Sequence, residues 1–101
     1  MITVIAQITV AAQKRAEFLT AFADYAEVVR HEKGCLEYQP MIDLDARLPL
    51  QLVDDRVVTV VEKWQSMATL KAHSVAPHMK AYGEKTKDLV AKRAVHVLTD
   101  A

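Results

Sequence analysis

The spacing of apolar residues changes period along this chain in a fixed order, from two to helical and back, and that order limits the folds open to it. Over residues 2–10, Ile2, Val4, Ala6, Ile8 and Val10 share one parity while Thr3, Gln7 and Thr9 share the other with Ile5, which predicts a strand. Residues 13–33 switch to helical spacing, with Phe18, Phe22, Tyr25, Ala26 and Val29 as one stripe and Lys14, Glu17, Asp24 and Glu27 largely away from it. Arg30, His31 and Lys33 suit the C-terminal end of the helix dipole, and Gly34 supplies a left-handed stop. No Ser, Thr, Asp or Asn directly precedes this helix, so its start is less defined. Residues 35–43 and 56–64 predict a second and a third strand, the latter through the run Val57, Val58, Thr59, Val60, Val61. Between them, residues 44–55 with Pro49 form a loop or a frayed hairpin end. Ser66 caps a short helix from Met67 to about His73, and Pro77 fits the first turn of another reaching about Val90, with Met79, Tyr82, Leu89 and Val90 inward. Residues 94–98 close the chain as a fourth strand.

The order β-α-β-β-α-β specifies an α+β, ferredoxin-like domain spanning residues 1–101, one antiparallel sheet with its helices on one face. Val57, Thr59 and Val61 lie on one side of the third strand and Val58 and Val60 on the other, so both faces of the sheet are partly apolar. Two helices cover one face; a second copy of the chain, packed sheet to sheet, is the simplest cover for the other and makes a homodimer the expected assembly, the alternative being a third strand that is merely short and buried at its centre. Thirteen basic residues balance thirteen acidic ones, which gives no basic surplus for nucleic acid or an anionic membrane. No apolar run approaches the roughly 18 residues that span a bilayer, and the first ten residues lack a basic leader pattern. The expectation is a cytoplasmic protein, with which an unpaired Cys35 agrees.

Three segments stand out in sequence: Gly34, Cys35, Leu36 and Tyr38 after the first helix, Glu62 and Trp64 ending the third strand, and His73 with His78 beyond it. In this order and at about this spacing the chain resembles the antibiotic biosynthesis monooxygenase family. The resemblance implies a dimeric α+β barrel and an oxygenase that uses no cofactor, acting with dioxygen on a quinol, phenol or similar aromatic. The residues agree by omission, having no G-x-G-x-x-G fingerprint, no P-loop and no Cys-x-x-Cys pair. Haem-degrading relatives use an Asn, a Trp and a His; here Gln7 stands at the Asn position and His73 near the Trp position, which disfavours haem. Other relatives are isomerases on small phosphorylated sugars. The connection before the third strand, D-A-R-L-P-L-Q-L-V-D-D-R, departs from the short turn the family leads one to expect.

His73 and His78 are the first candidates for acid/base work, because imidazole titrates near neutrality; the alternative is a pair of ordinary hydrogen-bonded histidines. A metal site is not expected, because Pro77 interrupts the helix between them and no third ligand is evident. Glu62 and Trp64 share a strand face, so burial could raise the Glu62 pKa and make it a base beside a flat aromatic wall; equally, Trp64 could be a core or interface anchor and Glu62 the partner of a cation. Tyr38 and Tyr82 could offer phenols to a substrate oxygen or be core rings. Cys35 reads as a small buried side chain, His31 as a helix-end charge and His96 as strand packing, while Gln7 is a polar group that needs partners or borders a pocket. Two other readings remain beside the oxygenase: a proton-transfer enzyme on a small phosphorylated substrate, with Lys63, Lys71 or Lys80 as its cationic subsite, and a non-catalytic dimeric ligand-binding module.

Overall fold

The computed structural model describes residues 1–101. Strand β1 (Ile2–Val10) leads to helix α1 (Arg15–Arg30), then come β2 (Cys35–Ile42) and β3 (Val57–Trp64), two short helices α2 (Met67–Ser74) and α3 (Pro77–Thr86), and β4 (Val90–Leu98). The sheet order is β2-β3-β1-β4 and every neighbouring pair is antiparallel, the ferredoxin-like arrangement. No helix is long and apolar enough to cross a membrane.

The sheet's inner face is built by parity. Val4, Ile8 and Val10 from β1 and Val58, Val60, Glu62 and Trp64 from β3 are buried, and all five stripe residues of α1 are buried against them. Burying each large side chain of this set contributes roughly 1.5–3 kcal/mol, so the stripe fixes α1 over the sheet, where Phe22 and Tyr25 meet Tyr38 of β2. On β2 a bulge between Cys35 and Glu37 inserts Leu36, so that Cys35 sits opposite Trp64 and Tyr38 opposite Glu62. Residues three apart thereby share the inner face, which strict alternation would forbid. Burial raises the Cys35 thiol pKa, in keeping with a packing role.

Helix ends follow their capping chemistry. Helix α1 starts at Lys14 without a side-chain cap, after Gln13 in the left-handed region. Ser66 and Thr69 form a capping box at α2, and Pro77 occupies the first turn of α3. The helix expected to run to about Val90 ends instead at Thr86; Lys87–Leu89 tighten into a 3-10 turn, and β4 begins at Val90, four residues before the expected 94. Ala11 N–H donating to the Leu89 carbonyl ties this turn to the end of β1 and draws Val90 into the ladder. The opposite face of the sheet carries Ile5, Val57 and Val61, half-buried, and no helix covers it.

Gly34 has φ +82, and a Cβ there would come within 2.4 Å of the Thr69 side chain in the first turn of α2. Both the left-handed backbone and the contact with α2 therefore require glycine. Gly34→Ala is expected to cost about 1–2 kcal/mol for the backbone alone, with the Thr69 clash in addition. Thermal melting should show a loss of at least roughly 5 °C; an unchanged melting temperature would contradict this account.

Candidate active site

The turn that Gly34 permits places Glu32, just beyond α1, against α2 and α3. Glu32 Oε2 lies 2.8 Å from His73 Nδ1 and 2.7 Å from His78 Nε2. A carboxylate only accepts, so each imidazole donates an N–H to the same oxygen, and His73 is left with Nε2 as its free, proton-accepting nitrogen. Pro77 bends the chain between α2 and α3, and that bend lets two histidines five residues apart converge. His73 is buried, stacked on Trp64 at 4.7 Å and edge-on to Tyr38.

Helices and sheet line a cavity of about 390 Å³, open along β4, of the size that holds one small organic molecule. Val4, Ala6 and Val60 form its floor, and Phe22, Leu70 and Met79 its apolar sides. The polar groups at its wall include His73, Glu62, Arg93, Lys71 and three tyrosines, Tyr25, Tyr38 and Tyr82. Tyr25 and Tyr82 are stacked with centroids 4.0 Å apart, and neither buried hydroxyl makes a hydrogen bond of good geometry, although the Tyr38 hydroxyl lies near that of Tyr25 and Thr86 near that of Tyr82. Unpaired buried hydroxyls are costly and are satisfied when a ligand brings polar atoms. Burial raises the phenol pKa of all three; Tyr82 is pushed up to about 12, with the Arg93 charge pulling the other way. The tyrosines are therefore neutral donors at physiological pH.

Glu62 lies between Val4 on β1 and Tyr38 on β2 by register, and its Oε1 accepts from Trp64 Nε1–H at 3.0 Å. Burial raises its pKa, an effect that the Trp64 hydrogen bond and the nearby His73 oppose.

Of the residues singled out from sequence, His73, Glu62, Tyr38 and Tyr82 meet at this cavity. Trp64 does not form a wall: it is fully buried beneath His73 and positions that ring. His78 stands behind His73 on Glu32 and lies off the cavity wall. Gln7 borders the cavity but is exposed on the sheet's other face, where it also lines a polar recess with Thr9 and Arg56. Among the candidate lysines Lys71 reaches the cavity, whereas Lys63 pairs with Glu37 at 3.5 Å. Sequence reading missed Glu32, Tyr25 and Arg93. Tyr25 was visible only as one of the α1 stripe; nothing local marks Glu32, whose partners lie 41 and 46 residues away. Glu32 is also the third donor that the histidine pair lacked in sequence, since its oxygen and the two imidazole nitrogens lie within 4.8 Å of one another. In this fold the three are joined by hydrogen bonds.

Residues 1–85 match the family described as antibiotic biosynthesis monooxygenase. The chain is 37% identical over 100 residues to "Probable quinol monooxygenase YgiN" of Escherichia coli K12, covering 97% of this chain and 96% of that protein. Among solved structures, a protein of Caulobacter crescentus CB15 is 29% identical with a TM-score of 0.79, covering 99% of this chain and 89% of that one. Rv0793 of Mycobacterium tuberculosis, 22% identical with a TM-score of 0.80 over 99% of this chain and 94% of its own, shares the fold.

The raised Glu62 pKa sets a pH dependence. The folded carboxyl holds its proton to higher pH than the unfolded one, so between the unfolded value of about 4.3 and the folded value the native state binds more protons. Stability from this group is therefore present at acid pH and is lost as pH rises through that window. Glu62→Gln, whose amide oxygen can still accept from Trp64, should be more stable than the parent at pH 7, with the gap closing toward pH 4. Urea unfolding at a series of pH values checks this; a gap that widens on acidification would refute it.

Proposed function

We propose, from the premise that this chain belongs to the antibiotic biosynthesis monooxygenase family, that it oxidises a small quinol or phenol-like aromatic with dioxygen and without a cofactor. The monooxygenase-type activity follows from the family; the substrate class rests on the cavity. One observation carries it: His73, held at Nδ1 by Glu32, stands at the wall of an apolar pocket whose Tyr25 and Tyr82 hydroxyls lack partners. An aromatic diol fits that pattern, with its ring among Phe22, Leu70 and Met79 and its oxygens at the phenols and the imidazole.

In this reading His73 Nε2 takes a proton from a substrate hydroxyl, and the Glu32 carboxylate stabilises the imidazolium. The tyrosine O–H groups donate to the anion so formed. The dry pocket keeps bulk water away while the anion passes one electron to dioxygen. The resulting superoxide and semiquinone join at a ring carbon; the peroxide then loses water to leave a hydroxyquinone. One quinol and one dioxygen thus give one hydroxyquinone and one water. Glu62, whose buried carboxyl has its pKa raised, is a second group that can hold a proton, beside Tyr38.

A proton-transfer reaction on a small anionic metabolite is the second reading, favoured by Lys71 and Arg93 at the cavity. The polar wall argues against a purely aliphatic binding module. We place the enzyme in the cytoplasm as a homodimer that covers the outer face bearing Ile5, Val57 and Val61. Only 15 of 101 residues are buried in the lone chain, which supports a partner. A sizing column at micromolar concentration should return twice the subunit mass; a lone subunit overturns the dimer.

Protein stripped of metal and flavin should take up oxygen with one or more of a panel of naphtho- and benzohydroquinones. His73→Ala should lower kcat at least about 100-fold, the scale of a lost general base. Glu32→Gln should lower it less, with His73 retained but unsupported. Uptake that needs an added metal or flavin, or that survives His73→Ala, would overturn the mechanism. Protection by inorganic phosphate and none by quinols would favour the second reading.

A further inference from the structure

We propose that residues 43–56 form an arm that crosses to β4 of a second copy and closes the open wall of that copy's cavity; the inference rests on the homodimer proposed above. Fourteen residues separate Ile42 from Val57, a connection long enough that function or disorder usually explains it. This one is tied to itself. Gln51 Oε1 accepts from Ala46 N at 3.1 Å and Leu48 N at 3.4 Å, its amide donates to the Leu44 carbonyl, and Asp43 Oδ2 accepts from Asp54 N at 2.9 Å. Pro49 and Leu50 form the turn, closed by Gln51 N donating to the Leu48 carbonyl. Leu50 has φ +64, in the left-handed region that a leucine rarely adopts.

The polar groups of the arm thus point inward and its leucines outward. Leu44, Leu48, Leu50 and Leu52 are 66–101% exposed. Four apolar side chains on a self-braced, strained segment are a surface awaiting cover.

The complementary surface lies on the opposite edge of the sheet. By register Val97 pairs with Val4 and Val95 with Ala6, so both share the inner face, and both line the cavity. Yet they are 53% and 59% exposed, and of the nine residues of β4 only Val90 is even half-buried. The helices stop short of this strand, and the cavity is open there.

The arm cannot close it within its own chain, because β3 and β1 separate β2 from β4, roughly 14 Å of sheet at ordinary strand spacing. A second copy can. Two such sheets packed by their outer faces about an axis along the strands lay the β2 edge of one beside the β4 edge of the other. That axis keeps strand direction, so the arm's root lies level with the start of the partner strand. Folded back on itself the arm reaches roughly 20 Å, most of the length of β4. Charge agrees: the arm holds four aspartates, Asp43, Asp45, Asp54 and Asp55, against Arg47 and Arg56, while β4 holds Lys92 and Arg93 and no acid. The two-fold axis makes the exchange reciprocal, so both cavities close together.

The test uses a Cys35→Ser background and two separately tagged copies, one with Leu50→Cys and one with Val97→Cys, mixed and treated with a short bis-maleimide. Covalent heterodimer is expected, well above a control in which Val28→Cys on α1 replaces Val97→Cys. Yield no higher than the control overturns the arm, whatever the activity. A second arm mixes a copy carrying Leu48→Asp, Leu50→Asp and Leu52→Asp with a His73→Ala copy. Each homodimer should oxidise hydroquinone poorly, while random mixing restores about a quarter of wild-type sites, because half the dimers then hold one complete site. No gain on mixing means the arm acts within its own chain or not at all. If His73→Ala is active, the oxygenase mechanism falls while cross-linking still decides the arm.

Discussion

One carboxylate oxygen joins three parts of this molecule. Glu32 leaves the end of α1 and receives an N–H from α2 through His73 and another from α3 through His78. Hydrogen bonds to a charged group contribute about 1.5–3 kcal/mol each when well formed, a large share of the stability of two helices only 8 and 10 residues long. The same contacts hold the helices over the sheet, orient the His73 ring and fix which of its nitrogens is free. Roof and buried imidazole thus share a single anchor.

The cavity beneath that roof owes its character to aromatic packing. Phe18, Phe22, Tyr25, Tyr38 and Tyr82 form a continuous set of stacked and edge-on rings, with centroids between 4.0 and 6.4 Å. Rings in such contact give rigid walls at little entropic cost. Their hydroxyls point where packing sends them, and two end without a partner. In a site meant to stay empty those groups would be a defect; in one that receives an oxygen-bearing ring they are the recognition elements.

Much of the fold was legible because it depends on local period. The α1 stripe from Phe18 to Val29 is buried residue for residue and β3 lies where its β-branched run places it, whereas α1 ends at Arg30 and Gly34 takes its left-handed φ four residues later, in the turn into β2. What could not be read arises from contacts between distant segments. The bulge at Leu36 changes parity through pairing with β3, and β4 starts early because the 3-10 turn is tied to β1. The site followed the same division. His73, Glu62 and Tyr82 were visible as residue types, but Glu32 is one acid among thirteen until the chain folds it against two imidazoles. Pro77, taken in sequence as separating the histidines, is the bend that unites them.

Trp64 is the only tryptophan, and its indole lies face to face with the His73 ring at 4.7 Å. A proton arriving on that imidazole places a cation against the indole π-system, a contact that attracts and alters the excited state of the ring. The protein therefore carries an intrinsic optical gauge beneath the imidazole proposed as its base. Its ultraviolet emission reports protonation at the two groups it touches, the His73 ring and the Glu62 carboxyl, without a label and free of signal from any other indole.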